Sequence, residues 1–263
     1  MRPSDGDSLA RALAAGLADC LEPETVEPVV SASGGAWPDV ASLLVDLTGC
    51  RLRTDRSAFG ASADGATTPG PVVAELDLGG RPVTIGGTTL TLDLTAKGAG
   101  FRFSEGDDPV VMVLDGHDGG EASLFVTRDE LERRVAEGLG KKLGPQGVKV
   151  LSVALDLAPA EGNRVDVDIA LTLRMMFKAK LRAKARLRLD DDITLVVEDT
   201  SVTGENMGGK TFASLARPQL TELTGKEFAF GNLLPAGVRL ADVRLSTDAG
   251  LGVAARIVPD SRP

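Results

Sequence analysis

The sequence predicts an α+β protein that is mainly antiparallel β-structure with a few packed helices. Short runs that alternate between apolar and polar residues, separated by glycines, occupy most of the chain after residue 51, as is typical of strands and turns. Helical spacing of apolar residues occurs at only four places. With 43% hydrophobic and 25% charged residues, the 263-residue chain has a globular composition. It can form one large domain or two half-size ones.

Two helices are predicted near the start of the chain. Ser8 is expected to be the N-cap of the first helix, which ends before Pro23. Its single apolar stripe consists of leucines at every fourth position: Leu9, Leu13, Leu17 and Leu21. A second, short helix is predicted over residues 38–47, because Gly49 follows as a stop signal.

The next part of the chain predicts hairpins. Alternating runs at residues 72–78 and 89–94 have the period of strands. The pairs Gly79-Gly80 and Gly86-Gly87 lie where turns are expected.

A second series of elements begins at Thr127. Thr127 and Glu130 form a predicted capping box, and Gly144-Pro145 ends the helix that follows. The remaining predicted elements are a strand at 148–157, a turn at 161–163, a strand at 193–202, a helix at 211–223 bent at Pro218, and strands at 238–245 and 251–258. The predicted domain division is therefore a first helix-plus-strands half at 1–126, a second half at 127–258 within one continuous domain, and a tail at 259–263.

The most informative segment covers residues 165–189, in which every odd position is apolar. This strict period of two places all the apolar groups on one face of a sheet, whereas a helix would scatter them. A single strand of that length would span roughly 80 Å, which is far beyond ordinary strands. The segment is therefore either a long bent strand or a strand that folds back near residues 175–177.

Charge and hydropathy exclude several classes of protein. The formal net charge of −9 argues against nucleic acid as a partner, because phosphate binding needs a basic surface. No apolar stretch approaches the roughly 18 residues of a membrane-spanning helix, and residues 1–7 do not look like the start of a secretory signal. The expected location is the cytoplasm, with peripheral membrane contact at most, or the envelope if a leader precedes this sequence.

Several segments together resemble the LmeA-like phospholipid-binding family of bacterial proteins. Residues 233–243 (LLPAGVRLADV) and 250–255 (GLGVAA) are similar to the last strand pair of that family. Residues 126–131 (VTRDEL) are similar to the start of its second long helix, and residues 38–44 (PDVASLL) to its first strand–helix step. The resemblance implies a tubular lipid-binding (TULIP-like) fold, in which a long, strongly curved antiparallel β-sheet wraps around a few helices and an apolar groove takes acyl chains.

On this basis the chain is expected to bind a phospholipid or another ligand with acyl chains, without catalysis and without a cofactor. The predicted lipid-binding residues are Ile169, Leu171, Leu173, Met175, Phe177, Leu181, Leu131, Val135, Leu139, Phe212 and Leu215. The even positions of the alternating segment form a basic row expected to face an anionic membrane: Arg174, Lys178, Lys180, Arg182, Lys184, Arg186 and Arg188. Two alternatives stay open. In the first alternative, the apolar face is the ordinary core of a structural or partner-binding β domain. In the second, the basic row is a solvated face that does not bind a membrane.

A competing motif lies at residues 204–211 (GENMGGKT), which match the phosphate-binding pattern G-x-x-x-x-G-K-[ST] between a predicted strand and helix. In that interpretation Gly204 and Gly209 shape the loop, Lys210 reaches the terminal phosphates and Thr211 holds Mg²⁺. The preceding strand carries Glu198 and is not apolar on both faces, as a buried parallel strand should be. In a chain with 31 glycines the pattern also arises by coincidence.

Other candidate sites are weaker. His117, with Asp115 and Asp118, is expected in a solvated turn and not in a metal site. Cys20 and Cys50 are expected to be buried thiols, although one disulfide between them is open. No catalytic constellation is evident, because the single histidine limits nucleophile–base pairs.

Overall fold

A computed structural model describes residues 3–53, 67–104, 112–174, 177–190, 193–229 and 238–259. The chain is α+β and mostly β-structure, with three α-helices in the described part. It divides into two compact units. Unit 1 comprises Met1–Phe125, Gly231–Asp242 and Ala254–Pro263, and unit 2 comprises Val126–Phe230 and Val243–Val253.

The described residues of unit 1 form one helix and a long-stranded sheet. The elements in chain order are α1 (Gly6–Ala18), β1 (Val29–Ser33), β2 (Asp39–Asp46), β3 (Arg51–Leu52), β4 (Thr67–Ile85), β5 (Thr88–Ser104), β6 (Met112–Gly116) and β7 (Gly119–Thr127).

In unit 2 the residues that the structure describes form two helices and a second sheet. Its elements are α2 (Arg128–Leu143) with a 3₁₀ turn (Gly144–Gln146), β8 (Lys149–Ala160), β9 (Arg164–Arg174), β10 (Lys178–Leu189), β11 (Thr194–Gly204), α3 (Met207–Thr221) and β12 (Glu227–Ala229). The last two strands, β13 (Arg239–Ser246) and β14 (Gly250–Val258), have residues in both units.

The first sheet has the strand order β1-β2-β4-β5-β7-β14-β13, with β3 beside β4 and β6 beside β5. It is mixed, because β2 and β3 pair with β4 in parallel while β4 and β5 form an antiparallel hairpin. Gly86 and Gly87 connect that hairpin with φ angles of 56° and 78°. A two-residue turn with both φ angles positive favours glycine, so this predicted turn is confirmed.

The second sheet has the order β12-β11-β10-β9-β8 and is antiparallel throughout its described pairs. The 165–189 segment is a hairpin of β9 and β10, so the chain folds back near 175–177, which was one of the two alternatives. The predicted Thr127 cap is also confirmed, since its hydroxyl accepts a hydrogen bond from the Glu130 N–H at 3.3 Å.

The helix predicted at residues 38–47 is wrong, because this segment is strand β2. Val40, Leu43 and Val45 are buried, and β2 has hydrogen-bonded neighbours on both sides, β1 and β4. Pairing on both edges outweighs the weak local preference for helix, which is a tertiary effect.

Two smaller predictions are also corrected. The N-cap of α1 is Asp5 and not Ser8; Ser8 occupies the third helical position, and its hydroxyl completes the capping box. Gly79-Gly80 lies inside β4 and is not a turn. A Cβ on Gly80 would come within 2.7 Å of the Leu47 carbonyl carbon, so the glycine permits a close backbone approach.

The α3 helix begins at Met207, four residues before the predicted start. The core of unit 1 is formed by Leu9 of α1 against buried residues of the sheet, namely Val40, Leu43, Val73 and Ala99.

Candidate functional site

The apolar face of the unit 2 sheet is set by the register of the β9–β10 hairpin. Ala179 is opposite Leu173, Leu181 is opposite Leu171, and Leu187 is opposite Val165. Directly opposite residues in an antiparallel pair project from the same face. Because odd positions pair with odd positions, all the apolar side chains of the segment stay on one face after the chain reverses.

The neighbouring strands extend this apolar face. Val153 and Leu155 of β8 are opposite Leu171 and Ile169. Thr200 of β11 is opposite Ala185, and its hydroxyl donates to the Leu220 carbonyl at 2.8 Å. This bond places α3 on the apolar side of the sheet.

Two clusters of buried side chains lie on this face. The α3 cluster consists of Val148, Leu173, Ala179, Leu181, Val202 and Ala213, with Phe212 and Leu220 of α3 packed against it. The α2 cluster consists of Leu155, Leu157, Val165 and Val167, with Leu131 of α2 packed against it. The two helices therefore cover different parts of the apolar face.

Beside these clusters, part of the apolar face is only half-buried. We call this region the central strip; its residues are Val153, Ile169, Leu171, Ala183 and Ala185. The α2 helix buries none of its side chains, and Leu131, Val135 and Leu139 are all half-buried. A helix that contributes an apolar stripe to a closed core normally buries it. The central strip is consequently apolar surface that remains partly accessible.

The structure brings together most of the predicted lipid-binding residues. Leu173 and Leu181 belong to the α3 cluster, Ile169 and Leu171 belong to the central strip, and Phe212 is half-buried against the α3 cluster. Met175 lies outside the described residues.

Two predicted wall residues lie elsewhere. Leu215 is 68% exposed, because about 100° of rotation per residue places it on the other side of α3 from buried Ala213. Phe177 is 47% exposed, since it lies in the connection between β9 and β10 and not within a strand. Neither side chain is buried in the apolar face.

The opposite, outer face of the unit 2 sheet carries a ladder of ion pairs. Arg182 contacts Asp168 at 2.8 Å, and Arg186 contacts Asp166 at 2.7 Å. Lys184 is 3.7 Å from the other Asp168 oxygen. The hydrogen bond from Arg186 holds the pKa of Asp166 below its usual value.

Glu198 of β11 joins the same ladder. Its carboxylate accepts hydrogen bonds from Arg164 at 2.9 Å and from Arg188 at 2.8 Å. The pKa of Glu198 is lowered, first by the Arg164 hydrogen bond and further by Arg188. Arg188 also contacts Asp190.

These pairs change the interpretation of the basic row. Arg182, Lys184, Arg186 and Arg188 are neutralised by carboxylates that are distant in sequence or lie on another strand. Within the described part of the chain Arg174, Lys178 and Lys180 form no ion pair, and all three are exposed. The row therefore carries uncompensated positive charge at one end only. Its sequence pattern could not show this, because the partners are brought alongside by strand register.

The GENMGGKT segment does not form a phosphate-binding loop. β11 ends at Gly204, Asn206 caps α3, and Gly209, Lys210 and Thr211 lie within the first turns of the helix. The Asn206 carboxamide oxygen accepts the Gly209 N–H at 2.7 Å, and the Asn206 carbonyl accepts the Lys210 N–H at 2.8 Å. Thr211 donates its hydroxyl to the Met207 carbonyl. These donors are already used inside the helix.

The glycines of this segment serve close packing. A Cβ on Gly209 would lie 2.0 Å from the Lys180 carbonyl oxygen, and a Cβ on Gly204 would lie 2.1 Å from the Lys210 nitrogen. Both glycines therefore lie against backbone of β10 or α3, where a larger residue would not fit. The geometry gives the nucleotide interpretation no support.

No family model, curated protein or solved structure matches this chain. The resemblance to the LmeA-like family therefore stays a prediction. Among the described helices, none is both long and apolar enough to cross a bilayer.

The remaining candidates lie in unit 1. His117 lies between β6 and β7, as predicted, but it is 3% exposed, so the prediction that it is solvated is wrong. Neither of its ring nitrogens has a hydrogen-bond partner among the described residues, and no group of potential metal ligands occurs there. Asp115 forms an ion pair with Arg102 at 2.6 Å.

Both cysteines are buried and neither forms a disulfide, as expected. Cys50 donates to the Val26 carbonyl at 3.2 Å, and burial raises the pKa of its thiol. A thiol with a raised pKa stays protonated at neutral pH and is a poor nucleophile.

Proposed function

We propose that the protein binds lipid and holds phospholipid acyl chains against the apolar face of unit 2. In this proposal the sheet curves strongly around its helices, as in a tubular lipid-binding fold. The observation that carries this proposal is the central strip. Its five side chains are apolar, continuous across β8, β9 and β10, and half-buried; Leu171 packs against the α3 cluster, and Ile169 and Ala185 pack against the α2 cluster. Partly accessible apolar surface of this kind is typical of a ligand site.

The energetics fit a hydrocarbon ligand. Removing a methylene from water contributes roughly 0.8 kcal/mol, so about ten buried methylenes supply roughly 8 kcal/mol before the cost of ordering the chain. The strip offers no charged group that an acyl chain would have to desolvate. The ion pairs among β9, β10 and β11 are on the opposite face of the sheet. On the apolar side, Arg133 of α2 pairs with Glu130 and Glu137 of the same helix, and the Glu132 carboxylate accepts the Leu155 N–H at 2.8 Å.

Mass spectrometry tests the proposal. An organic extract of the purified protein should contain a near-stoichiometric phospholipid, and a native mass spectrum should show the corresponding complex. A ligand-free protein that takes up no lipid from mixed vesicles would contradict the proposal and favour a structural or partner-binding domain.

A matched pair of variants locates the ligand. Ala183→Phe fills the central strip, whereas Ala170→Phe places the same ring on the exposed outer face of the neighbouring strand. We expect Ala183→Phe to lose the co-purified lipid and Ala170→Phe to keep it. Equal retention in both variants would show that the lipid does not lie in the strip.

A further inference from the structure

Three basic residues lie side by side at one end of the outer face of unit 2. Arg174 in β9 is the register partner of Lys149 in β8 and of Lys178 in β10. Their side chains therefore project from the same face of three adjacent strands. All three residues are exposed, and none is ion-paired to another described residue. We call this group the basic tip.

The basic tip is unfavourable for folding. Like charges directly opposite one another on neighbouring strands destabilise a sheet. Further along the same strands, Asp166 and Asp168 compensate the arginines and lysines that face them. At the tip the described part of the chain offers no such compensation. Uncompensated like charges destabilise the sheet at the tip, whereas elsewhere in the same sheet carboxylates compensate the basic residues. This difference points to a ligand that supplies negative charge at the tip.

Two exposed apolar side chains adjoin the basic tip. Phe177 immediately precedes Lys178 and is 47% exposed, and Met207 at the start of α3 is 87% exposed. They are held close together, because the Phe177 ring packs on Gly208, where an added Cβ would come within 2.5 Å of ring atom Cδ2. The Asn206 carboxamide N–H donates to the Lys178 carbonyl at 2.9 Å and so fixes the start of α3 beside β10.

We infer that this end of unit 2 docks on an anionic membrane surface. Lys149, Arg174 and Lys178 contact the anionic headgroups, and Phe177 and Met207 enter the interface between headgroups and acyl chains. Basic residues flanking exposed apolar side chains are the combination that membrane interfaces bind. This inference rests on the proposed function, because docking gives a lipid-binding protein access to its ligand.

Vesicle co-sedimentation tests the inference with the full chain. Phosphatidylcholine vesicles are compared with vesicles that also contain phosphatidylserine as the minor component. We expect binding to the anionic vesicles only, and we expect it to weaken as salt concentration rises. Each basic residue near such a surface strengthens binding roughly fivefold. The variant Lys149→Gln/Arg174→Gln/Lys178→Gln should therefore bind roughly a hundredfold more weakly.

The matched control removes the same number of charges from the same face. Arg182→Gln/Lys184→Gln/Arg186→Gln changes only ion-paired residues, so its vesicle binding should stay within a few-fold of that of the unmodified protein. Met207→Ser should weaken binding severalfold without changing the unfolding midpoint, because this side chain is exposed. Circular dichroism confirms that each variant is folded.

The inference fails if the unmodified chain does not bind anionic vesicles, if the tip variant binds as well as the control, or if the control loses as much affinity as the tip variant. Failure of the proposed function is distinguishable from these outcomes. A tip variant that keeps its extractable phospholipid but no longer sediments supports both proposals. A chain that docks through the tip but carries no lipid retains only the docking surface.

Discussion

Replacing Gly209 by alanine tests the packing of α3 against β10. The added Cβ would stand 2.0 Å from the Lys180 carbonyl oxygen, whereas Cβ atoms in proteins essentially never come closer than 3.0 Å. The first turn of α3 must therefore move by at least about 1 Å relative to β10. That movement strains the Asn206 contacts, in which its side chain accepts from Gly209 at 2.7 Å and from Lys180 at 3.2 Å.

The expected magnitude follows from three contributions. Forced overpacking costs about 1–3 kcal/mol, and a weakened N-cap costs about 1 kcal/mol. Alanine recovers about 1 kcal/mol through its helix propensity. The free energy of unfolding of Gly209→Ala should thus fall by about 1–3 kcal/mol.

Gly138→Ala is the matched control. Gly138 lies inside α2, and an added Cβ there has nothing within 4 Å. The same change should raise the free energy of unfolding by up to about 1 kcal/mol. Urea unfolding followed by circular dichroism measures both variants. If Gly209→Ala proves as stable as the unmodified protein, the close packing of α3 on Lys180 is refuted. Mg-ATP should not change the unfolding midpoint of the unmodified protein. If Mg-ATP raised that midpoint and Gly209→Ala abolished the rise, the phosphate-loop interpretation would be restored.

Two further predictions concern charge and burial. Acid should destabilise the fold through the ion-pair ladder, because the pKa values of Asp166 and Glu198 are depressed in the folded state. The stabilisation from these two carboxylates is fully present above the usual carboxyl pKa of about 4. It is lost as pH falls through their lower pKa values in the folded state. Unfolding in urea across a pH series measures this loss, and Arg186→Gln should reduce it; an identical pH profile for the variant would show that Asp166 does not contribute. His117→Leu should leave the free energy of unfolding unchanged or raise it, because the substitution removes two buried ring nitrogens that have no hydrogen-bond partner among the described residues. A loss of more than about 1 kcal/mol in the same urea assay would mean that the ring has a partner.

The sequence alone predicted the structural features that depend on neighbouring residues or on a repeating pattern. The Thr127 cap, the Gly86-Gly87 turn and the one-sided apolar pattern of 165–189 were all predictable from the sequence, because each depends on neighbours within a few residues or on the period of a strand. Segment 38–47 was not predictable, because its strand state depends on pairing with β1 and with β4, which begins more than twenty residues later in the chain.

For the candidate site, the sequence predicted the direction of the side chains but not their accessibility. Period-two alternation alone placed the apolar residues of β9 and β10 on one face and the basic residues on the other. Only the tertiary structure decided which of them remain accessible. Register brought Asp166, Asp168 and Glu198 against the basic row and left its other end uncompensated. Packing against α2 and α3 buried the two clusters fully and the central strip only in part. The physical reason is that a repeating pattern specifies the direction of a side chain, whereas burial and charge compensation depend on which distant residue lies opposite it.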